Sequence, residues 1–566
     1  MLKQEMICTI GRHDIPIIQE QPDFVIDLLK TNILLFGSAM SGKTNLLRLL
    51  ITILHKLYRE NDEQIFILDF GGALAEFERL PLVAAYFDNA NEEYVKRVFN
   101  LMEEQLKNNI SILKGKNYNA CTENQPIHTT LLIDNVNAFL EEPRYSGYQE
   151  KLAKLCRDGL SKGITIVMTA GSTKGLASYM GSFKQKIALD MPSESYADIF
   201  NNKIIPVGGN PGHGYANVTY VSPNMNVTFP TQNAYEMQLN ISDSISDDDF
   251  NRNLDWYFGE RQVKKYKRFP DILTEYEFYR FVEDDKEYFY ELDNPNIAVG
   301  LDYTECKPYV IDYNIYKVIA VYGKKEFGKT NLLKRLLKNL LNDDRYTFVF
   351  FDDGREQLKD NIADSVMDNS RNVYINGYEE VYIKNKTGTL QSMKFSPMQL
   401  FIKLIHERYM DLTGIRRMST LVTNDIFGTG VVIDSHAGID NNNVVFVLQS
   451  KFLYVNSVAA KIFMEIILPT MAAQAEEKNW IFIFTDVKSI SDADNRDNFN
   501  STIEMAFLLD NIAEFVSERG QKSVFGSMDV KSLKEEYARC EIGDGYVYSI
   551  EKDDLKKLKI IKEDEG

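Results

Sequence analysis

The chain carries one pattern twice. Asp23–Leu50 reads DFVIDLLKTNILLFGSAMSGKTNLLRLL, and Pro308–Leu337 reads PYVIDYNIYKVIAVYGKKEFGKTNLLKRLL. Each runs from Val-Ile-Asp through an apolar strand to a glycine loop and GKTNLL. The leading glycines, Gly37 and Gly323, stand 286 residues apart. A second apolar strand follows each loop, IFILDFGG with Asp69 and FVFFDDG with Asp352. Two modules of about 270–290 residues therefore account for nearly the whole chain.

Both loops fit GxxxxGK[ST]: Gly37-Ser38-Ala39-Met40-Ser41-Gly42-Lys43-Thr44 and Gly323-Lys324-Lys325-Glu326-Phe327-Gly328-Lys329-Thr330. Glycines let successive backbone N–H groups curl round a β-phosphate and open a helix whose positive end faces it. The lysine reaches the β/γ oxygens, and the threonine hydroxyl coordinates Mg2+. Each loop follows a strand (NILLF; VIAVY) and precedes a strong helix, the context that a bare eight-residue match lacks. ATP and Mg2+ are the expected ligands.

Within each module, short β-branched runs alternate with amphipathic helices, the pattern of an α/β fold. The expected architecture is two tandem P-loop NTPase domains, each a mainly parallel sheet flanked by helices. The helix after the second loop sets Leu332, Leu333, Leu336, Leu337, Leu340 and Leu341 at helical spacing, with Lys334, Arg335 and Lys338 expected on the other face. Expected boundaries are 1–240 and 297–566, joined by a charged linker over 241–296. That linker holds the most basic window, RQVKKYKR (Arg261–Arg268), read as a solvated linker helix in preference to a nucleic-acid or lipid-phosphate contact.

A P-loop enzyme also needs a strand-end aspartate for Mg2+ and a group that positions the attacking water. In the first module TTLLIDN supplies Asp134, followed by Asn135. An amide orients water but accepts no proton, so hydrolysis is expected to be slow. ITIVMTAGS then places Thr169 as a sensor of the γ-phosphate. In the second module NNNVVFVLQS puts Gln449 where the aspartate belongs, and NWIFIFTDV supplies the sensor-like strand with Asp486 near its end. The other alignment, with Asp486 as the metal aspartate, stays open. On the preferred one, the second module binds nucleotide weakly or statically.

Composition narrows the partners. The 566 residues are 44% hydrophobic and 26% charged, ordinary for a globular chain, with 64 Lys and Arg against 82 Asp and Glu for a net charge of −18. An acidic surface repels phosphate backbones and argues against nucleic acid as the main partner. Five scattered cysteines, with no CxxC spacing, support neither a disulfide framework nor a structural zinc site, and point to a cytoplasmic setting. No apolar run approaches the ~18–20 residues of a membrane span, and MLKQEMICTIGRHD has no signal-peptide core.

These motifs resemble the FtsK/SpoIIIE group of P-loop ATPases, and more closely the C-terminal ATPase pair of the EssC/EccC proteins of type VII secretion. GRHDIPIIQEQPDFVIDL (Gly11–Leu28) and IAVGLDYTECKPYVIDY (Ile297–Tyr313) look like the lead-ins to that family's second and third ATPases. LAKLCRDGLSKGITIVMTA (Leu152–Ala170) fits the family order, and GNPGHGYA (Gly209–Ala216) falls where the family has Gly-Arg-Gly, with His213 in the arginine's place. The resemblance implies a location at the cytoplasmic face of the cell membrane, with a membrane-anchored N-terminal portion elsewhere, in a longer protein or a separate chain. It implies other secretion subunits as partners, and small helical-hairpin WXG-type cargo bearing a C-terminal Tyr-x-x-x-Asp/Glu signal. A hexameric ring is one assembly it implies, in which Arg157 could act in trans on a neighbour's nucleotide; the plainer reading makes Arg157 a helix-surface residue. Asn135 and Gln449 depart from the family pattern and suggest a weak ATPase. Competing readings are an FtsK-like DNA translocase and a non-hydrolytic docking scaffold.

Overall fold

Strands buried on both faces of a parallel sheet read as continuous apolar runs, and IFILD, TTLLID and ITIVMTA are such runs. The computed structural model describes residues 5–16, 19–89, 92–121, 123–202, 204–205, 209–220, 234–241, 261–266, 268–282, 295–352, 358–359, 362, 368–369, 371–376, 379–384, 390–412, 441–449, 458–487, 493–512 and 540–563. It divides into two compact units, Met1–Arg268 and Phe269–Gly566.

In the first unit the strands are β1 (Ile7–Asp14), β2 (Asp23–Asp27), β3 (Ile33–Phe36), β4 (Glu63–Asp69), β5 (Val83–Asp88), β6 (His128–Asp134), β7 (Ile164–Ala170), β8 (Gln185–Ala188), β9 (His213–Asn217) and β10 (Ala234–Leu239). They form one sheet in the order β2-β1-β10-β9-β8-β3-β7-β6-β4-β5. From β8 to β5 every pairing is parallel. From β8 to β2 every pairing is antiparallel. Helices α1 (Lys43–Leu57), α2 (Glu92–Leu113), α3 (Val136–Glu141), α4 (Ser146–Asp158) and α5 (Ser193–Phe200) accompany it. The three apolar runs become β4, β6 and β7, buried at every residue. Because β3 pairs with β7 on one side and β8 on the other, its C-terminal end opens at a topological switch point, where α/β sheets bind ligands.

The second unit, described by itself, repeats this plan. After α6 (Glu275–Val282) come β11 (Ile297–Asp302), β12 (Pro308–Ile311), β13 (Val318–Gly323), α7 (Lys329–Leu341), β14 (Thr347–Phe351) and β15 (Val373–Ile375). A separate hairpin, β16 (Glu379–Lys384) and β17 (Leu390–Phe395), precedes β18 (Val444–Gln449), β19 (Ile481–Val487), β20 (Met505–Leu509), β21 (Asp544–Ser549) and β22 (Asp554–Ile560). The main sheet runs β12-β11-β22-β21-β20-β13-β19-β18-β14-β15, strand for strand the order of the first unit. Alternation along β13 sends Val318, Ala320 and Tyr322 into one core and Ile319 and Val321 into another.

On α7, Leu332, Leu333, Leu336, Leu337 and Leu340 are buried, each worth about 1.5–3 kcal/mol relative to exposure. Arg335 corrects the sequence expectation, because it is buried too. Its Nε donates to Ala298 O at 2.7 Å, and Nη1 meets Glu275 at 3.0 Å and Glu563 at 2.7 Å. Lys338 pairs with the same two carboxylates, at 2.9 and 3.0 Å. Two acids from distant chain positions turn the polar side of α7 into a second packed face.

Arg261–Tyr266 corrects another expectation, since it forms no helix. Val263 and Tyr266 donate backbone N–H bonds to Pro81 O and Ala84 O beside β5, the edge of the first sheet. Lys265 donates to Leu80 O at 2.5 Å and Val83 O at 2.7 Å, and burial pushes its pKa down to about 8. An uncovered strand edge invites foreign pairing, and this segment covers it. Arg268 meets Glu78 at 2.7 Å. Residues 242–260, 267 and 283–294 of the expected linker lie outside the described residues.

Candidate nucleotide-binding sites

The first loop leaves β3 held from both sides: Gly37 N–H donates to Ala170 O, the last residue of β7, and Ser38 N–H to Asp190 O, beyond β8. Met40 (φ 60°) and Gly42 (φ 108°) take left-handed conformations that turn the chain into α1. Gly42 has a second reason to be glycine, because a Cβ there would stand 2.8 Å from Gly212 N. Gly212 N–H donates to Ser41 O at 2.7 Å, so the GNPGHG stretch packs directly on the loop. His213 in that stretch points to Glu236, with Nε2 2.7 Å from Oε1. Lys43 Nζ lies across the loop, donating to Gly37 O at 2.7 Å and Ser38 O at 2.6 Å. Asn45, one residue past Thr44, donates to Asn240 O at 2.9 Å.

Across β4, β6 and β7 the register sets Asp69 beside Asp134, and Ile133 beside Met168. One step on, Thr169 Oγ1 donates to Asp134 Oδ1 at 2.5 Å and accepts the Asn135 N–H at 2.8 Å. Asp134 Oδ2 lies over Gly71, where a Cβ would come within 2.5 Å of it. Burial pushes the Asp134 carboxyl above the ordinary range; the Thr169 hydrogen bond and the Lys43 charge oppose this, and Asp69 adds to it. Asp69 is spent on structure, accepting from the N–H groups of Gly71, Gly72 and Leu74 and from the Tyr86 hydroxyl. Asn135 caps α3 in a left-handed conformation at φ 58°, ψ 59°. Asn137 braces the turn after β7, accepting from Gly171 N–H and donating to Ser172 O and Lys174 O.

A hard divalent cation takes oxygen ligands and favours a carboxylate. The first unit fits it: Thr44 and Asp134 would hold Mg2+ on a bound triphosphate, where it offsets phosphate charge. Arg157 is not brought to this site. It closes α4 next to the N-terminal end of β7, the end opposite Thr169, is exposed, and pairs with Asp158 at 2.9 Å.

The second loop repeats the backbone. Glu326 (φ 71°) and Gly328 (φ 89°) occupy the turns of Met40 and Gly42, and Lys329 Nζ donates to Gly323 O at 3.0 Å and Lys324 O at 2.6 Å. The surroundings differ. In sheet order β18 stands where β6 stands and β19 where β7 stands. Phe351 registers with Leu448, and Gln449 with Thr485. Gln449 therefore holds the place of Asp134, Thr485 that of Thr169, and Asp352 that of Asp69. Asp352 also does the work of Asp69, accepting the Leu358 N–H at 2.9 Å. Asp486 lies one residue past Thr485 on β19; its side chain is outside the described residues.

Two further carboxylates escaped the sequence reading. Register pairs Phe36 with Ala188 and Gly323 with Leu509, making Asp190 and Asp510 equivalent. Asp190 Oδ2 is 3.5 Å from Ser38 Oγ, and Asp510 Oδ1 is 3.4 Å from Lys324 Nζ. The signal was there in IALD and FLLD, two apolar strands each ending in aspartate, but nothing local placed them beside a loop 152 and 186 residues earlier.

No family model matches the chain. It is 27% identical over 195 residues to the type VII secretion system protein EssC of Staphylococcus aureus strain MRSA252, a match covering 33% of this chain and 13% of that protein. It is 26% identical over 344 residues to the ESX secretion system protein EccC of Geobacillus thermodenitrificans, covering 59% of this chain and 22% of that protein. Among solved structures it is similar to EssC (ATPases 2 and 3) from Geobacillus thermodenitrificans, with TM-score 0.61 and 20% identity over 99% of this chain and 96% of that one. It is also similar to Thermomonospora curvata EccC (ATPases 2 and 3) in complex with a signal sequence peptide, with TM-score 0.60 and 15% identity over 99% and 94%. The chain thus resembles the EssC and EccC proteins of type VII secretion and has the fold of their tandem ATPases.

Proposed function

We propose that the chain supplies the ATP-binding modules of a type VII secretion ATPase, working at the cytoplasmic face of the cell membrane. On this reading it recognises small helical-hairpin proteins by a C-terminal signal and couples ATP binding, with slow hydrolysis in the first unit, to their export. No helix among the described residues is long and apolar enough to cross a membrane, so attachment comes through the membrane-anchored portion or partner subunits.

The observation that carries the reading is the inequality of two otherwise matching sites. In the first, Lys43 lies across the loop that would hold the phosphates, Thr169 orients Asp134, and Asn135 follows Asp134, at the place expected of the residue that positions the attacking water. Asn135 can hydrogen-bond that water but cannot remove its proton, so turnover is slow. In the second, the loop remains but Gln449 replaces the aspartate, and the site holds nucleotide without turning it over. A pair made of one slow site and one static site suits regulated assembly and cargo handling better than rapid translocation. The Thermomonospora curvata relative was solved with a signal sequence peptide, which motivates a peptide as the ligand here, docked as a helix in a groove.

Steady-state ATP turnover, measured with and without long duplex DNA, is the test. Slow turnover indifferent to DNA and abolished by Lys43→Ala is expected, together with binding of a helical peptide bearing the C-terminal signal. Strong stimulation by DNA would instead establish an FtsK-like translocase. ATP binding unchanged by Lys43→Ala and Lys329→Ala would leave only the docking scaffold.

A further inference from the structure

Charge is distributed differently around the two loops, and the difference has a definite size. In the first unit, the eight loop residues and the register position on β6 carry one cation, Lys43, and one anion, Asp134. In the second, the same nine positions carry three lysines, Lys324, Lys325 and Lys329, against one glutamate, Glu326, with neutral Gln449 on β18. The first set is neutral and the second has a charge of +2. Asp69 and Asp190 in one unit are matched by Asp352 and Asp510 in the other, so including them leaves the difference unchanged. It equals the charge of one divalent cation.

Among the described residues, the donor set of the second unit does not fit Mg2+. Gln449 is buried, at 2% exposure, and offers at most a neutral amide. Thr330 alone remains of the expected pair. The cationic side is built up instead: Lys324 lies 3.4 Å from Asp510, at the position where the first unit sets Ser38 near Asp190. A triphosphate carries close to four negative charges free and about two when complexed with Mg2+. A site with two extra positive charges and a glutamine at the register position of Asp134 favours the free form by simple electrostatics.

We propose that the second unit binds nucleoside triphosphate without a metal ion, Lys324 and the neutral Gln449 together making the charge difference that Mg2+ makes in the first, while Lys325 is paired with Glu326 at 3.4 Å. This rests on the nucleotide-binding reading above and specifies the ligand's form. It also accounts for a static site, since lysines supply charge but not the metal that bridges the β- and γ-oxygens in phosphoryl transfer.

The test is titration of the full chain with a fluorescent ATP analogue, in Mg2+ and in EDTA. Lys43→Ala isolates the second unit and Lys329→Ala the first. With Mg2+ withheld, the Lys43→Ala chain is expected to keep its affinity within about threefold, and the Lys329→Ala chain to lose tenfold or more. In the Lys43→Ala background, Lys324→Ser gives the loop the first unit's residue at that position and should lower affinity in EDTA by about tenfold. Gln449→Asp in that background should make binding depend on Mg2+. If the second unit loses affinity on metal removal as steeply as the first, the inference fails while nucleotide binding stands. If the Lys43→Ala chain binds no ATP analogue in either buffer, nucleotide binding by the second unit fails, and this inference with it.

Discussion

The Thr169 hydroxyl donates to the Asp134 carboxylate at 2.5 Å and accepts the Asn135 backbone N–H on the same oxygen. One side chain thus fixes both the carboxylate proposed to hold the metal and the start of the turn into α3. The hydrogen bond also opposes the upward push that burial exerts on the Asp134 pKa. Removing it should let that pKa rise further. Since metal-bound nucleotide needs the carboxylate ionised, Thr169→Val should weaken Mg2+–ATP binding in the first unit by about tenfold, the worth of one such bond. Its decline on acidification should begin at higher pH than in the unaltered chain, and Thr169→Ser should restore both. An unchanged affinity and pH profile in Thr169→Val would remove Thr169 from the site.

Asn135 sits at φ 58°, a conformation asparagine tolerates better than most residues. Asn135→Glu would supply a proton acceptor but bring a longer side chain into that backbone. Turnover should rise by about tenfold or more, from the general-base contribution, while stability falls by about 1 kcal/mol. Steady-state turnover and a melting curve on the same preparation check both. A variant that folds, binds ATP and turns over no faster would show that Asn135 is not what limits the rate.

His13 is buried on β1 against Phe24, with ring centroids 4.2 Å apart, and burial pushes its pKa down to about 4. His55 on α1 is likewise pushed down to about 4, burial again the largest cause. Below about pH 6.5 the unfolded chain binds protons that the folded unit refuses. Stability from these groups is therefore complete above pH 6.5 and lost as pH falls toward 4, by up to about 3 kcal/mol for each. Thermal melts of the first unit between pH 7 and pH 4.5 should show this slope, and His13→Leu should make it shallower. A slope unaffected by His13→Leu would mean that other groups govern the acid limb.

Arg335 is nearly enclosed, with Glu275 and Glu563 on its guanidinium. Arg335→Met keeps much of the volume but leaves two partly buried carboxylates short of charge. It should destabilise the second unit by about 3 kcal/mol, and Arg335→Lys by less. Denaturant unfolding that resolves both units should show the first transition unmoved. A loss below ~0.5 kcal/mol would place the network among surface ion pairs of little consequence.

Much of the first site was legible because its signals are local. Lys43 and Thr44 follow their glycines in sequence, and Asp134 and Thr169 end apolar runs that could only be buried strands. The linker window misled for a related reason. The charges of RQVKKYKR suggest solvent, but the Lys265 ammonium finds backbone carbonyls at 2.5 and 2.7 Å beside an open sheet edge. Arg335 misled in the same way, because its partners come from 60 and 228 residues away.

The sequence by itself determined that there are two P-loop units, where each loop lies, and that the first keeps an aspartate while its neighbour at 135 is an amide. These follow from contiguous residues, because a loop that wraps phosphate and the helix it opens are one piece of chain. Tertiary structure alone decided that Gln449, rather than Asp486, holds the place of Asp134, that Thr485 answers to Thr169, and that Asp190 and Asp510 flank the loops. Neighbours in a parallel sheet are joined by long crossovers, so strand order and register are set by packing of the whole sheet.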